Sequence, residues 1–165
     1  MAEKANQLLY KYQVKEFPVP LDVIEHIIYN EGIDIQITKY FNRALFCDNV
    51  IYIGQALENS CQREYLVHEV AHIYHTGNTA LLNPITVDKN EAQAKAFAAY
   101  FLLPVGIFEA YLARGENDYT LSEIFGVNRE LIEFRKFLFQ SLADSGNYER
   151  LRYKIFCHSI QTYVL

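Results

Sequence analysis

The stretch VHEVAHIYH, residues 67–75, holds three of the five histidines in the chain. Its central residues, His68-Glu69-Val70-Ala71-His72, have the spacing H-E-x-x-H. On a helix, residues four apart lie about 40° apart around the axis and one turn apart along it. His68 and His72 therefore face the same side and can bind one metal ion. Glu69 lies roughly 100° from His68 around the helix axis, so its carboxylate is poorly placed to be a third ligand. It can still reach a water molecule bound to the metal.

This pattern predicts a catalytic zinc site rather than a helix with histidines on a polar face. The flanking residues from Val67 to Tyr74 are mostly apolar, so the imidazoles are expected to be largely buried, and buried imidazoles need partners. Catalytic zinc takes three protein ligands and keeps one position open. A carboxylate beside that position accepts a proton during attack on a peptide carbonyl. We therefore expect zinc, with His68 and His72 as ligands and Glu69 as the base.

A third protein ligand must come from outside the pentapeptide. Glu91 is the better candidate, because it begins an alanine-rich downstream helix, and small residues let two helices approach closely enough to share a metal. Asp88-x-x-Glu91 also has the form of a capping box, which predicts Asp88 as the helix cap. His75, one turn beyond His72, is an alternative ligand, although three ligands on one helix strain a tetrahedral site. Glu109 is a weaker rival.

The rest of the chain predicts helices around a small sheet. Ile33, Ile35 and Ile37 alternate with polar residues, which favours two or three antiparallel strands over residues 33–40, 43–48 and 49–55. Asn59 or Ser60 is expected to cap the helix that carries H-E-x-x-H, with its end at Gly77. Further patterns predict helices over 2–13, 21–31, 89–103 and 105–115, a loop over 78–87, and two helices around Gly126. The tail from residue 147 fits strand or helix.

Composition restricts the class of protein. The 165 residues suggest a single domain, with a catalytic core at about 20–115 and a helical part at about 116–165. A net charge of −5 makes direct nucleic-acid binding unfavourable. The apolar, uncharged run Ala96–Phe108 is shorter than the roughly 20 residues of a membrane span. Charges occupy the N-terminal positions where a signal peptide is apolar. Three widely spaced cysteines are typical of free thiols, so a cytoplasmic protein is expected.

Together, the two halves of the predicted site resemble the ImmA/IrrE family of zinc metallopeptidases. HEVAH matches the first motif of that family, and EAQAKAFAAYFLLP matches the second, E-x-x-A-x-x-F-A-x-x-[LF]-[LM]-x-P. The second motif is formed here by Glu91, Ala94, Phe97, Ala98, Phe101, Leu102 and Pro104. The resemblance covers about residues 20–137. It implies an α+β zincin-like fold with a small antiparallel sheet, the HExxH helix and additional C-terminal helices. Within the zincins, the implied type is gluzincin-like.

The resemblance also implies the ligands His68, His72 and Glu91, and Glu69 as general base. The activity it implies is zinc-dependent endopeptidase cleavage of a helix-turn-helix repressor of a bacterial or phage-borne element or stress regulon. Two features depart from the family: Lys95 stands where Asn or Asp is frequent, and no further C-terminal sensor domain is expected.

Two alternatives remain from the sequence. LSEIFGVNRELIEFRKF can be aligned to a DNA-reading helix-turn-helix, but Glu130 and Glu133 on its second helix would repel phosphate. We therefore expect a helical pair packed beside the catalytic core. The second alternative is a non-catalytic zinc-containing module that binds a repressor or DNA. Tyr74, His75 and Tyr100 are candidate donors to a transition-state oxyanion.

Overall fold

The computed structural model describes residues 1–74 and 83–161. Helices surround one small sheet in these ranges, which confirms the expected α+β class. The elements in chain order are α1 (Ala2–Lys11), α2 (Leu21–Asn30), β1 (Asp34–Thr38), β2 (Ala44–Cys47), β3 (Val50–Gly54), α3 (Asn59–His72), α4 (Pro84–Leu102), α5 (Ile107–Ala113), α6 (Asp118–Phe125), α7 (Arg129–Asp144) and α8 (Tyr148–Gln161).

The sheet is mixed rather than antiparallel throughout. Its strand order is β1-β3-β2, with β1 parallel and β2 antiparallel to β3. β2 and β3 form a hairpin across Asp48 and Asn49, both of which have positive φ as a tight hairpin turn requires. β3 carries the most buried side chains of the sheet, Ile51 and Ile53, and therefore takes the central position. β1 then pairs with β3 instead of with its neighbour in sequence, and the fully antiparallel arrangement was wrong.

Helix α3 carries both histidines of the H-E-x-x-H sequence. It starts at Asn59 after Glu58 as N-cap, and no side chain caps it, so the predicted capping role of Asn59 or Ser60 was wrong. The hydroxyl of Ser60 instead donates to Asn128 at 3.2 Å, which ties α3 to the start of α7. The helix ends at His72, before the predicted stop at Gly77, a residue that lies outside the described ranges.

Helix α4 begins earlier than predicted. Asn83 is its N-cap and accepts the backbone N–H of Thr86 at 2.9 Å, and Pro84 takes the first helical position. Asn at the cap followed by Pro at N1 is a strong start signal, which outweighs the weaker signal at Asp88. Asp88 is therefore inside the helix and does not cap it, and residues 84–87 of the predicted loop are helical. This frees the Glu91 carboxylate from any capping role.

The segment that could be aligned to a helix-turn-helix packs against α3, as expected for a helical pair beside the core. Gly126 ends α6 in the left-handed conformation, with φ of 60°. Its carbonyl accepts a bond from Arg63 at 3.4 Å, and the N–H of Asn128, at the start of α7, donates to Glu64 of α3. The N-terminal end of α7, which would have to reach DNA bases, is thus bonded to the helix that carries the histidines.

Arg135 fixes α7 against α4 and α5. Its side chain is 1% exposed, donates to the Leu103 carbonyl at 3.0 Å and pairs with Glu109 at 2.5 Å. Its guanidinium also lies over the rings of Tyr100 and Phe108. This buried network sets the position of the face of α7 that meets the alanine-rich helix.

We expect Arg135→Met to destabilise the fold by about 3 kcal/mol, because the substitution leaves the Glu109 carboxylate, which is only 11% exposed, without its charged partner. Urea unfolding followed by circular dichroism measures the loss. Arg129→Met, at the start of the same helix, is the control and should change stability by less than about 0.5 kcal/mol. Equal stability of Arg135→Met and wild type would show that the pair contributes nothing.

The tail resolves as helix α8, which packs on α1 through an ion pair of Lys154 with Glu3 at 2.8 Å. Among the described residues, no single helix is long and apolar enough to cross a membrane. Helices α4 and α5 reach that length and apolar character only when they are taken together, and the chain bends by 72° between them.

Candidate metal centre

The two histidines of α3 lie as the helical spacing predicts. The rings of His68 and His72 have centroids 5.2 Å apart. The side chain of His68 is 23% exposed and that of His72 is 13% exposed. Their neighbours on α3, Val67, Val70 and Ala71, are buried in the core. The helix is therefore anchored by one face while both imidazoles reach an accessible edge.

Glu91 of α4 meets both imidazoles. Its Oε2 lies 3.1 Å from Nε2 of His68, and its Oε1 lies 3.5 Å from Nε2 of His72. Small buried residues, Ala71 on α3 and Ala94 and Ala98 on α4, let the two helices approach closely. The predicted ligand is thus brought to the histidines by a helix packed directly on theirs.

The separations of these donor atoms suit a tetrahedral zinc ion. Zinc lies roughly 2.0–2.2 Å from His nitrogen and carboxylate oxygen, so two such donors in a tetrahedral site are about 3.3 Å apart. The distances of 3.1 and 3.5 Å observed between Glu91 and the two imidazoles bracket that value. Two imidazole nitrogens and one carboxylate oxygen are also a donor set that zinc accepts. The residues present therefore have the donor chemistry and the close spacing that a zinc ion needs.

Glu69 lies beside this group in a different environment. The ligand atoms of His68, Glu69 and His72 all lie within 4.8 Å of one another. The Glu69 side chain is buried, and its Oε2 accepts the backbone N–H of Phe46 in β2 at 3.1 Å. Strand β2 thus holds this carboxylate beside the histidines. Because Glu91 has one oxygen on each imidazole and Glu69 is bound to β2, Glu91 is the carboxylate placed to be a ligand.

The pKa of Glu69 is raised to about 7, mainly by burial; the Phe46 N–H opposes the shift, and the negative charge of Glu91 adds to it. The carboxyl is thus poised to exchange a proton near neutral pH, as a general base requires. A cation bound between the histidines would lower this pKa, because it favours the ionised carboxylate.

For the metal-free protein we expect Glu69→Gln to be stabilising at high pH. Because the carboxyl pKa is higher in the folded state, the free energy of unfolding falls as pH rises from 4.5 to about 7. Above that pH the loss of stability stays constant. The variant should therefore gain about 3 kcal/mol at pH 8 and nothing near pH 4.5. Urea unfolding in EDTA at both pH values measures this. Glu133→Gln, an exposed carboxylate on α7, is the control. A loss of stability at pH 8 would contradict the burial argument.

A cavity of about 360 Å³ lies next to the Glu91–His68 pair, between α3, α4 and α7. Leu131 of α7 and Ala98 of α4 belong to its lining. A cleft beside a metal-binding group is the expected position for a substrate.

Other predicted site residues lie elsewhere. Glu109 pairs with Arg135 and accepts the Gly106 N–H at 2.5 Å, so it is no ligand to this group. Tyr74 packs against the Phe97 ring, and Tyr100 lies beneath Arg135. Neither tyrosine lines the cavity beside Glu91 and His68. Their positions therefore do not support either one as a donor to the transition-state oxyanion. The remaining candidate, His75, lies outside the described residues.

Sequence reasoning missed three residues around the group. Phe46 contributes through its backbone N–H, which no side-chain pattern reveals. Leu131 comes from a helix 40 residues after Glu91 and is visible only once α7 is packed. Glu64 had a detectable signal, since it lies four residues before His68 on the same face of α3.

The fold and the histidine-carboxylate group define an α+β domain of the zincin type. The chain belongs to the IrrE N-terminal-like domain family, Peptidase_M78, whose family model matches residues 32–136. The match includes α3, α4 and the part of α7 that contains Leu131, and it confirms the ImmA/IrrE resemblance drawn from the two motifs. A peptidase family of this kind implies a bound metal, in agreement with the His-Glu-His group.

Among solved structures, a Mycobacterium tuberculosis transcriptional regulator is similar to this chain, with a TM-score of 0.66 and 17% sequence identity. The match covers 79% of this chain and 44% of the regulator, so the chain corresponds to less than half of that protein. At this identity the similarity concerns the fold alone. Comparison with curated proteins gave no match.

Proposed function

We propose that this protein is a zinc-dependent endopeptidase in which His68, His72 and Glu91 bind the zinc ion and Glu69 is the general base. The observation that carries this proposal is the convergence of two imidazole nitrogens on one carboxylate at 3.1 and 3.5 Å, with a second, buried carboxylate beside them. Membership in a peptidase family supports the same reading.

Each part of the site has a separate role in the proposed reaction. Zinc, when bound, supplies a Lewis acid that polarises the scissile carbonyl and lowers the pKa of a water molecule. Glu69 accepts the proton of the attacking water and later delivers it to the leaving amine. The Phe46 N–H fixes the position of that carboxylate, and its buried surroundings keep its proton affinity high.

The proposed substrate is a protein, specifically a helix-turn-helix transcriptional repressor of a phage, mobile element or stress regulon. The assignment rests on the activity that the ImmA/IrrE resemblance implies, and the fold shared with a protein described as a transcriptional regulator is compatible with it. We place the enzyme in the cytoplasm, where a repressor acts. The free thiols of Cys47 and Cys61 suit a reducing compartment.

We also propose that residues 1–165 form a single metallopeptidase domain. Its catalytic core, at about 20–115, holds the four site residues, and the helical part, at about 116–165, supports them. Leu131 of α7 lines the cavity at the site, and Glu64 of α3 accepts the N–H of Asn128. These contacts favour one unit over two independent ones.

The alternative function is a non-catalytic zinc-containing module that binds a repressor or DNA. The fold shared with a protein described as a transcriptional regulator is compatible with this alternative. However, a structural zinc usually has four protein ligands, and a buried carboxylate beside a three-ligand group suits catalysis. Incubating zinc-loaded protein with helix-turn-helix repressors from the same genome separates the two. Fragments seen by mass spectrometry support the peptidase, whereas tight binding without fragments supports the module.

Zinc binding should not depend on cysteine. Cys61 accepts a bond from the Asn128 side chain at 3.5 Å, and Cys47 lies next to Asp48, so neither thiol belongs to the histidine group. We therefore expect Cys47→Ser and Cys61→Ser to retain the zinc content of wild type, measured by elemental analysis. The same result is expected for Cys157→Ser, at a side chain that lies outside the described part of the structure. Loss of zinc in any of these variants would overturn the ligand assignment.

A further inference from the structure

The cavity beside the candidate metal centre has a defined mouth and floor. Its mouth is formed by His68 and Glu91, two of the proposed ligands. Its floor is formed by Ala98 and Leu131, which are 2% and 4% exposed. Ala98 lies seven residues after Glu91 on α4, which places the floor about 10 Å from the mouth along that helix. A ligand held at the metal centre can thus extend one side chain into this space.

The wall that α7 contributes is held in place from α3. The N–H of Asn128 donates to Glu64, and the Ser60 hydroxyl donates to the Asn128 side chain. Leu131, one turn further along α7, is thereby fixed against the end of the cavity. The depth of the cavity is therefore set by the fold and does not depend on an incoming ligand.

The charged residues of the lining already have partners. Glu64 accepts the Asn128 N–H, and the Lys95 ammonium lies 4.5 Å from the centre of the Phe134 ring. The methylene stem of Lys95 then spans the gap between α4 and α7 and adds apolar surface. Alanines at positions 92 and 98 leave the space open. What the cavity offers a ligand is mostly apolar surface of about 360 Å³, ample for one large side chain.

We infer that this cavity is the specificity pocket of the enzyme and selects a large apolar side chain, such as Leu or Phe, next to the scissile bond. The inference rests on the proposed zinc site, because the metal centre is what positions a substrate at the mouth. It adds a substrate class to the proposed function: protein segments with a bulky apolar residue at the cleavage point. Ala92, Ala98 and Leu131 are the residues that determine this preference.

The test uses the zinc-loaded full chain and three N-acetylated amino-acid hydroxamates, those of glycine, leucine and phenylalanine. The hydroxamate group chelates zinc, so the three probes differ only in the side chain offered to the cavity. Burial of a Leu or Phe side chain should make those two probes bind about 10- to 100-fold more tightly than the glycine probe in titration calorimetry.

The variant that should block the cavity is Ala92→Phe. Ala92 lines the cavity at an exposed position, where a larger residue is tolerated. The introduced ring should fill the space, so that the leucine and phenylalanine probes bind with about the same affinity as the glycine probe. Lys89→Phe places the same ring on the exposed surface of α4 outside the lining and should retain the wild-type preference. Zinc content and thermal unfolding are measured for every protein.

Failure of the inference and failure of the zinc site give different results. Equal affinity for all three probes in fully zinc-loaded wild type would overturn the pocket and leave the metal centre standing. A preference that persists in Ala92→Phe would overturn it as well. Absence of zinc together with absence of probe binding would overturn the proposed function, and the pocket with it.

Discussion

Replacing His68 with alanine is expected to remove zinc from the protein. Three protein ligands hold the proposed ion, and losing one leaves only His72 and Glu91. Loss of a residue that merely supports a ligand costs 10- to 100-fold in metal affinity, so loss of a ligand should cost more than about 100-fold. Elemental analysis of protein purified without added metal should find about one zinc per chain in wild type and almost none in the variant.

The chain offers a matched control for this experiment. His26 lies on the exposed surface of α2, where its ring contacts Asn30, and it is not part of the metal-binding group. His26→Ala should therefore keep its full zinc content. Retention of zinc in a variant that lacks both His68 and His72 would refute the ligand assignment, whatever the behaviour of the control.

Glu69→Gln is expected to abolish cleavage while zinc and fold are retained. The amide keeps the shape of the carboxylate and can still accept the Phe46 N–H, but it cannot take a proton from water. Loss of a general base typically lowers the rate by about 10²–10⁴-fold. Cleavage of a helix-turn-helix repressor from the same genome, quantified by mass spectrometry, measures the effect. Cleavage by the wild type should also decline on the acid side of its pH profile, where Glu69 takes up a proton.

Glu133→Gln serves as control here too, since it removes an exposed carboxylate on α7 and should leave the rate unchanged. If Glu69→Gln cut as fast as wild type, Glu69 would not be the base. If neither protein cut the repressor but both bound it tightly, the non-catalytic module would be the better account.

The group at the metal centre was largely predictable because it depends on local geometry. The helical period alone places His68 and His72 on one side of α3, and α3 is long enough to keep that period. Glu91 was predictable from the alanine pattern of its helix, which signals close packing. Its two contacts with the histidines agree with that prediction, although its role as a ligand remains a proposal.

Long-range arrangement was not predictable from the same patterns. Alternating isoleucines indicate strands but not their neighbours, so the central place of β3 and its parallel pairing with β1 were missed. The start of α4 was missed because the signal at Asp88 was preferred to Asn83 followed by Pro84. The bond from Phe46 to Glu69 joins residues 23 apart through a backbone group, which leaves no trace in the sequence.

The zinc ligands are tested most directly by a crystal structure of the protein with anomalous diffraction measured at the zinc absorption edge. We expect a single peak per chain at roughly 2.0–2.2 Å from Nε2 of His68, Nε2 of His72 and a carboxylate oxygen of Glu91. Glu69 should lie near the ion but outside bonding distance. A peak bonded to Glu69 in place of Glu91, or no peak between the two histidines, would contradict the account.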